Sequence, residues 1–350
     1  MTNYLMVETL DNGIPLDTPI LMVDEFQDVS RLLYETFVHL TKGLDYVIIV
    51  GDPNQSIYGY KGGSPEFLIQ YDAPENILGY SHRFPQPIWN LAKKILKRES
   101  QEVPESITAR DGNDLCIRHL NNGGNLPTHE TELHLVRCNY QKWPVAMALA
   151  DAGKPFSGDK SYGWTEDEMK LYNIIKRYRA GAVLGGIEYK KLVNIYPMKF
   201  FNTSEKRDVL IRQLSAKSFT PQLTWAGGII SNELDMLLRS KNPLSHFADE
   251  KKLFQKKIAG ALKAGVGYLT PAEIGKRRLM TIHAAKGAEA IGNFLHTEIP
   301  PVVNRGLLIP GKASQAEARV WYVGVTRAIE NLYVIRDNGF NYKIPGATVC

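Results

Sequence analysis

Two short apolar runs dominate the start of the pattern. Ile20-Leu21-Met22-Val23 stops at Asp24, and Tyr46-Val47-Ile48-Ile49-Val50 stops at Gly51-Asp52. Unbroken β-branched runs of this length suit parallel strands covered on both faces. Between them Leu32, Leu33, Phe37, Val38 and Leu40 recur at helical spacing. The segment therefore reads β-α-β, an α/β domain with a parallel sheet. A second α/β region follows, with a strand expected at Ile77-Leu78, a helix over 87–96 with proline in its first turn, and a strand at 133–136. A helix over 143–152 should end at Gly153. From about 168 to 275 the strand signal disappears, and Tyr178, Tyr189, Tyr196, Phe200 and Phe201 lie among lysines. Strand patterns return at Leu279-Met280-Thr281-Ile282 and Leu332-Tyr333-Val334-Ile335. The pattern predicts a helical insertion, residues 181–275, inside a second α/β domain made of 75–180 and 276–350; residues 1–74 belong to the first.

Composition adds a charge asymmetry. At 44% hydrophobic and 23% charged, the 350 residues are ordinary for a globular chain and leave room for two domains. Lys+Arg 42 against Asp+Glu 37 gives +5, but residues 168–280 hold 21 basic and 9 acidic side chains, or +12, leaving −7 elsewhere. That argues against a uniformly basic DNA-coating protein and for one polyanion-facing part. No apolar run approaches the roughly 18–20 residues of a membrane span, and the first residues show no charged-then-apolar leader. No membrane partner is expected. Cys116, Cys138 and Cys350 are few, odd and far apart, which fits a reducing cytoplasm and neither a disulfide framework nor a metal cluster. His129 and His134 read as part of a solvated loop rather than a metal site.

Candidate chemistry begins with Asp24-Glu25-Phe26-Gln27-Asp28 at the carboxyl end of the first strand, where open parallel sheets bind ligands. The first carboxylate can hold Mg²⁺ and the second can polarise a water for attack on phosphorus. A solvated acidic turn would look the same, so the next strand's loop matters. Gly51-Asp52-Pro53-Asn54-Gln55-Ser56-Ile57-Tyr58-Gly59-Tyr60-Lys61-Gly62-Gly63 offers an amide for a phosphate, two aromatic rings and a lysine. Aromatic platforms beside a cation are what unpaired nucleic acid stacks on; the flanking glycines make this loop a poor core element.

These two blocks resemble the UvrD/Rep family of superfamily one DNA helicases, and further blocks follow in the family's order. Ser81-His82-Arg83-Phe84 is similar to its arginine segment, and Leu135-Val136-Arg137-Cys138-Asn139 to a strand of its second motor domain. Thr281-Ile282-His283-Ala284-Ala285-Lys286-Gly287-Ala288-Glu289 resembles its Thr-x-His-x-x-Lys-Gly-x-Glu segment, and Tyr322-Val323-Gly324-Val325-Thr326-Arg327-Ala328 its Tyr-Val-x-x-Thr-Arg-Ala helix. The resemblance covers nearly the whole chain outside the insertion. It implies RecA-like P-loop NTPase motor domains, the first truncated, and a 3′→5′ single-stranded DNA translocase that uses ATP and Mg²⁺ to unwind duplex DNA in replication or repair. Asp24 would hold Mg²⁺, Glu25 activate water, and Gln55 contact the γ-phosphate. Arg83 and Arg327 would reach the phosphates, His82 stack on the base, and Gly287 and Glu289 line the nucleotide site. Tyr58, Tyr60, Lys61, Thr281 and His283 would meet DNA.

The pattern departs from the family in three places. The family's phosphate-cradling loop, Gly-x-x-x-x-Gly-Lys-Ser/Thr, lies far before its Asp-Glu pair, whereas 23 residues precede Asp24 here. Gly306-Leu307-Leu308-Ile309-Pro310-Gly311-Lys312-Ala313 comes near but lacks the final hydroxyl and falls where a surface connection is expected. Histidine replaces tyrosine at position 82. Finally, Ala290-Ile291-Gly292-Asn293-Phe294 reads as a poor strand. Two functions stay open: a helicase present as its carboxyl portion and inactive alone, with a separately encoded amino-terminal part carrying the Walker A loop as a candidate partner; or a non-catalytic module binding single-stranded DNA or a partner. A helicase–nuclease is disfavoured because no acidic nuclease domain follows the last motor strand. Oligomeric state is not legible.

Overall fold

The computed structural model describes residues 18–113, 116–121, 126–159, 161–216, 228–247 and 251–345; Cys350 lies outside them. The chain divides into two compact units, Met1–Asn139 with Met280–Cys350, and Tyr140–Leu279.

In the first unit, β1 (Ile20–Val23) and β2 (Tyr46–Ile49) pair in parallel, Ile20 opposite Tyr46 and Val23 opposite Ile49. The helix Arg31–Leu40 crosses between them, its N-terminus capped by Ser30. Leu21, Val23, Val47 and Ile49 turn onto Phe26, Phe37 and Tyr71, whose rings meet edge to face. The alternate residues Ile20, Met22, Tyr46 and Ile48 are exposed. The expectation of two covered faces therefore fails among the described residues: a continuous apolar run still alternates sides, and one side here is open.

The next strand is not Ile77-Leu78, which is irregular and exposed. Pairing begins three residues later, where β3 (Tyr80–Pro85) runs parallel to β4 (Thr108–Arg110) with Tyr80 opposite Thr108. The helix Gln86–Arg98 follows, Pro87 in its first turn and Ile88, Trp89, Ala92, Ile95 and Leu96 buried.

The main sheet has the order β5–β9–β8–β6–β7, formed by β5 (Ile117–Asn121), β6 (Glu132–Val136), β7 (Arg277–Thr281), β8 (Ala290–His296) and β9 (Ala328–Arg336). The pairs β5/β9, β8/β9 and β6/β8 are parallel. Contrary to the reading of residues 290–294, β8 is a central strand. Gly292 fits there because a Cβ would lie 2.3 Å from the His129 ring, and buried Asn293 donates from Nδ2 to the Gly324 carbonyl at 2.8 Å. The loop reading of the histidines fails at His134, which is fully buried on β6 and stacked on Phe294 at 4.5 Å. On one side the helix Lys312–Val325 packs Trp321 and Val323 into a core shared with Trp89, Leu133, Leu295 and Leu332. Arg137, at the end of β6, grips Glu317 of that helix through two 2.8 Å bonds.

The second unit is built mainly of helices: Lys142–Asp151, Glu166–Arg179, Gly186–Ile195, Arg207–Leu214, Asn232–Arg239, Lys252–Lys263 and Pro271–Gly275. Gly153, at φ 65°, follows the first of them as expected. Gly260 lets the helix Lys252–Lys263 press against the backbone of Ala150, since a Cβ would fall 1.9 Å from its carbonyl oxygen. Tyr196, Phe200 and Phe201 are buried in this unit. The buried amine of Lys257 donates to the Gly163 carbonyl at 2.7 Å and to Glu168. Burial outweighs the Glu168 carboxylate and draws the Lys257 pKa below its usual range.

Candidate functional site

The carboxyl ends of β1 and β2 lie side by side, which brings two loops together. Asp24 accepts the amide of Glu25 at 2.7 Å, and Glu25 turns the chain in the left-handed region at φ 56°. Gln27, fully buried, ties the loops: Nε2 donates to Glu25 Oε2 at 2.6 Å, Oε1 accepts the Asp52 amide at 3.0 Å, and its carbonyl accepts Ser56 Oγ. Glycine at 51 is required by this closeness, because a Cβ would sit 2.4 Å from Gln27 Oε1. Asp52 caps the following turn through Asn54 and accepts from Gln55 Nε2 at 3.0 Å. Its Oδ2 also takes the Tyr322 hydroxyl at 2.9 Å. Burial first, and that carboxylate second, push the Tyr322 hydroxyl well above its usual pKa.

Cations from later segments meet these carboxylates. Lys286 Nζ lies 2.9 Å from Glu25 Oε2 and also bonds Asp28 Oδ2, with only 7% of its side chain exposed. Partial burial disfavours the charged form of Glu25, but Lys286 and Gln27 outweigh it and hold the carboxyl below its usual range. At Asp28 burial prevails over Lys286, and the pKa rises. Arg83 Nε bonds Glu289 Oε2 at 2.9 Å. Arg327 is buried and donates to the Val323 carbonyl and Thr326 hydroxyl. Its pKa falls to about 10, chiefly through burial and then through nearby Arg83, against the pull of Tyr322, Glu289 and Glu25. Glu25, Arg83, Glu289 and Arg327 thus share one electrostatic neighbourhood.

The aromatic group adjoins it. Tyr58 donates its hydroxyl to the His283 carbonyl at 2.8 Å; Tyr60, 70% exposed, lies edge to face with Tyr58 and with the His283 ring. Lys61 stands 5.1 Å from the Tyr58 ring centroid and Lys286 5.6 Å. Burial, aided by Arg137, lowers the His283 pKa to about 4, so its imidazole is neutral at physiological pH. Thr281 accepts the Ala284 amide, and Gly287 adopts φ 78°. His82 is exposed on β3 with its ring against Tyr80.

No group of three or more His, Cys, Asp or Glu side chains converges as a metal cage among the described residues. Asp24 instead presents one exposed carboxylate at a strand end. Magnesium bridged to phosphates uses one or two carboxylates and several waters, so this donor set suits that ion. The Gly306–Ala313 stretch runs from the end of the helix Pro301–Gly306 into the helix Lys312–Val325, through exposed Leu308, Ile309 and Pro310. It follows a helix rather than a strand, unlike a phosphate loop, and is the expected surface connection.

The family description "UvrD/REP helicase N-terminal domain" matches residues 5–74. The chain is UvrD/Rep-like. Among curated relatives, the ATP-dependent DNA helicase PcrA of Staphylococcus aureus (strain MRSA252) is 23% identical over 401 residues, 89% of this chain and 54% of the relative. PcrA of strain Mu50 is 23% identical over 397 residues with the same coverage. PcrA of Staphylococcus epidermidis is 32% identical over 98 residues, 26% of this chain and 13% of the relative. The chain spans about half the length of the Staphylococcus aureus relatives. Its α/β class, with a five-stranded sheet, is that of RecA-like helicase motor domains. Four residues of this site carried no assigned role in the sequence: Gln27, Asp52, Lys286 and Tyr322. Three stood inside the loops already singled out and the fourth in the Tyr-Val helix, but their partners lie as far as 270 positions away, which no local pattern announces.

Proposed function

We propose that this chain supplies the water-activating and arginine-bearing part of an ATP-dependent DNA helicase, a 3′→5′ single-stranded DNA translocase of the cytoplasm. Residues 1–74 are read as the carboxyl part of one motor domain, 75–180 with 276–350 as a second, and 181–275 as its insertion. The observation that carries the reading is the convergence of Glu25, Gln55, Arg83 and Arg327, from four separate segments, beside the Tyr58–Tyr60–His283 aromatic group. Glu25 accepts the proton of a water attacking the γ-phosphorus, and Gln55 orients that water. Arg83 and Arg327 balance charge on the transferring phosphoryl group, a contribution of roughly 10³–10⁵ in rate in GTPases with an arginine finger. Asp24 would hold Mg²⁺, which offsets phosphate charge when bound. Tyr58, Tyr60 and Lys61, with Thr281 and His283, receive a single strand by stacking and backbone contact.

The 350 residues contain no complete Gly-x-x-x-x-Gly-Lys-Ser/Thr, so hydrolysis is proposed to need that loop from another segment or chain. The test is single-strand-stimulated phosphate release by this chain, alone and mixed with a loop-bearing amino-terminal segment of a PcrA-type helicase. Negligible release alone, and release in the mixture that Glu25→Gln abolishes, is expected. Robust release alone that Glu25→Gln abolishes overturns the requirement for the loop. Tight strand binding with no release in either case favours the binding-module reading.

A further inference from the structure

The second unit contains a cleft with about 590 Å³ of open space, where the ends of the helices Glu166–Arg179 and Asn232–Arg239 meet the helix Lys252–Lys263. Its lining includes Arg179, Arg239, Ser240, Lys241, Lys256 and Lys263, with Asp151 as the acidic member. Its wall is built firmly. Arg179 donates from Nε to the Leu238 carbonyl at 2.8 Å and from Nη2 to the Ser240 carbonyl. Arg239 bonds Asp235 at 2.9 Å and lies over the Tyr178 ring. Lys256 bonds Asp151 Oδ1 at 2.6 Å.

These pairs leave an excess of positive charge. Asp151 and Asp235 answer two of the five cations. The partners of Arg179 are carbonyls, and Lys241 and Lys263 form no ion pair among the described residues. Burial lowers the pKa of Arg179, as befits a guanidinium with no carboxylate against it. Complementing the carbonyl ends of helices accounts for basic residues in last turns. It does not account for an open space between them. Uncompensated cations lining an open space are the chemistry that binds phosphate oxygens.

We propose that this cleft is a phosphate-binding site, taking the sugar-phosphate backbone of a nucleic acid strand or, by the same chemistry, a free oligophosphate. It is independent of the ATP-site reading, since every residue it uses lies in the second unit. The test uses the full chain and a fluorescein-labelled single-stranded oligonucleotide, with anisotropy titrations at several salt concentrations. Lys241→Glu/Lys263→Glu changes two exposed side chains without breaking a bond, and the control Lys206→Glu/Lys252→Glu, exposed elsewhere on the same unit, makes the same change of net charge outside the cleft. The cleft variant is expected to weaken binding at least tenfold and to flatten the salt dependence by about 1.4 in log–log slope, the contribution of two phosphate contacts on a single strand. The control should lose less than about threefold. Displacement of the strand by micromolar inorganic tripolyphosphate assigns the site to free oligophosphate, and failure to displace it assigns the site to the strand backbone. If the Lys241→Glu/Lys263→Glu variant keeps the affinity and salt slope of the Lys206→Glu/Lys252→Glu control, the proposal is overturned.

Discussion

Lys286→Met isolates the ion-pair junction at the candidate site. Methionine keeps most of the aliphatic length and removes the ammonium that stands over the Tyr58 ring. Breaking a fully buried pair costs about 3–5 kcal/mol, because the partner charge is left without compensation. Here Lys286 is 7% and Asp28 17% exposed, but Glu25 is 53% exposed. Water at Glu25 and protonation of Asp28 relieve part of the penalty, so about 2 kcal/mol is the expected local cost. Hydrogen exchange reads this cost at the amides of Asp28, Val29 and Ala288, which bond the carbonyls of Glu25, Phe26 and Ala285. At 1.36 kcal/mol per decade, they should exchange about 30-fold faster at neutral pH. The pH dependence has a definite sign. Without the lysine both carboxyl groups titrate higher in the folded chain, and a raised folded pKa stabilises at low pH and ceases to do so as pH rises through it. The deficit should therefore shrink from pH 7.5 to pH 5, and Asp28→Asn added to Lys286→Met should recover most of it. Exchange within threefold of the parent at pH 7.5 would show that Lys286 is not holding these loops together.

Gly292→Ala places a methyl group against His129 in the middle of the main sheet; overpacking of this kind costs about 1–3 kcal/mol and should lower the melting temperature by roughly 3–10 °C in scanning fluorimetry. An unchanged midpoint would mean that β8 tolerates a side chain there. For His283 the folded pKa of about 4 lies below the usual 6.5. As pH falls between those values the unfolded chain takes up a proton that the folded chain refuses, so stability drops by up to about 1.4 kcal/mol per pH unit. His283→Asn should flatten that slope in urea midpoints measured from pH 7 to pH 4, and an identical slope would refute the buried neutral imidazole.

What could be read along the chain, and what could not, follows from the range of the forces involved. The strands at β1, β2, β6 and β9 and the helix Gln86–Arg98 were legible because periodicity is a local property. Ile77-Leu78 misled because apolar character marks a strand only where a partner exists, and the first partnered residue is Tyr80. Residues 290–294 misled in the other direction. Glycine and asparagine weaken an average strand, yet Gly292 is required by the His129 ring and Asn293 has a buried carbonyl to bond. The exposed face of β1 and β2 could not be read either, because a continuous run does not say which side is covered. At the candidate site the loops were legible as loops, and the side chains that tie them were not. Lys286 meets Asp28 across 258 positions and Tyr322 meets Asp52 across 270; such pairings are decided by the fold.

The charge asymmetry has a counterpart within each of the two units. In the first unit four acids of the candidate site are answered within the protein: Glu25 and Asp28 by Lys286, Glu289 by Arg83, and Asp52 by Tyr322 and Gln55. Under the proposed function this balance has a mechanical consequence. A γ-phosphate entering between Glu25 and the arginines offers Arg83 and Lys286 a stronger anionic partner than a carboxylate, which would free Glu25 to take a proton from water. Lys286 also lies over the ring of Tyr58, which is bonded to His283. A strand stacking on those rings would therefore act on the same amine that holds the Glu25 carboxylate. Coupling between strand and phosphate then needs no long relay, because one buried lysine touches both. In the second unit three of the five cleft cations, Arg179, Lys241 and Lys263, have no carboxylate partner among the described residues, and that difference separates a site balanced against itself from one open to an external anion.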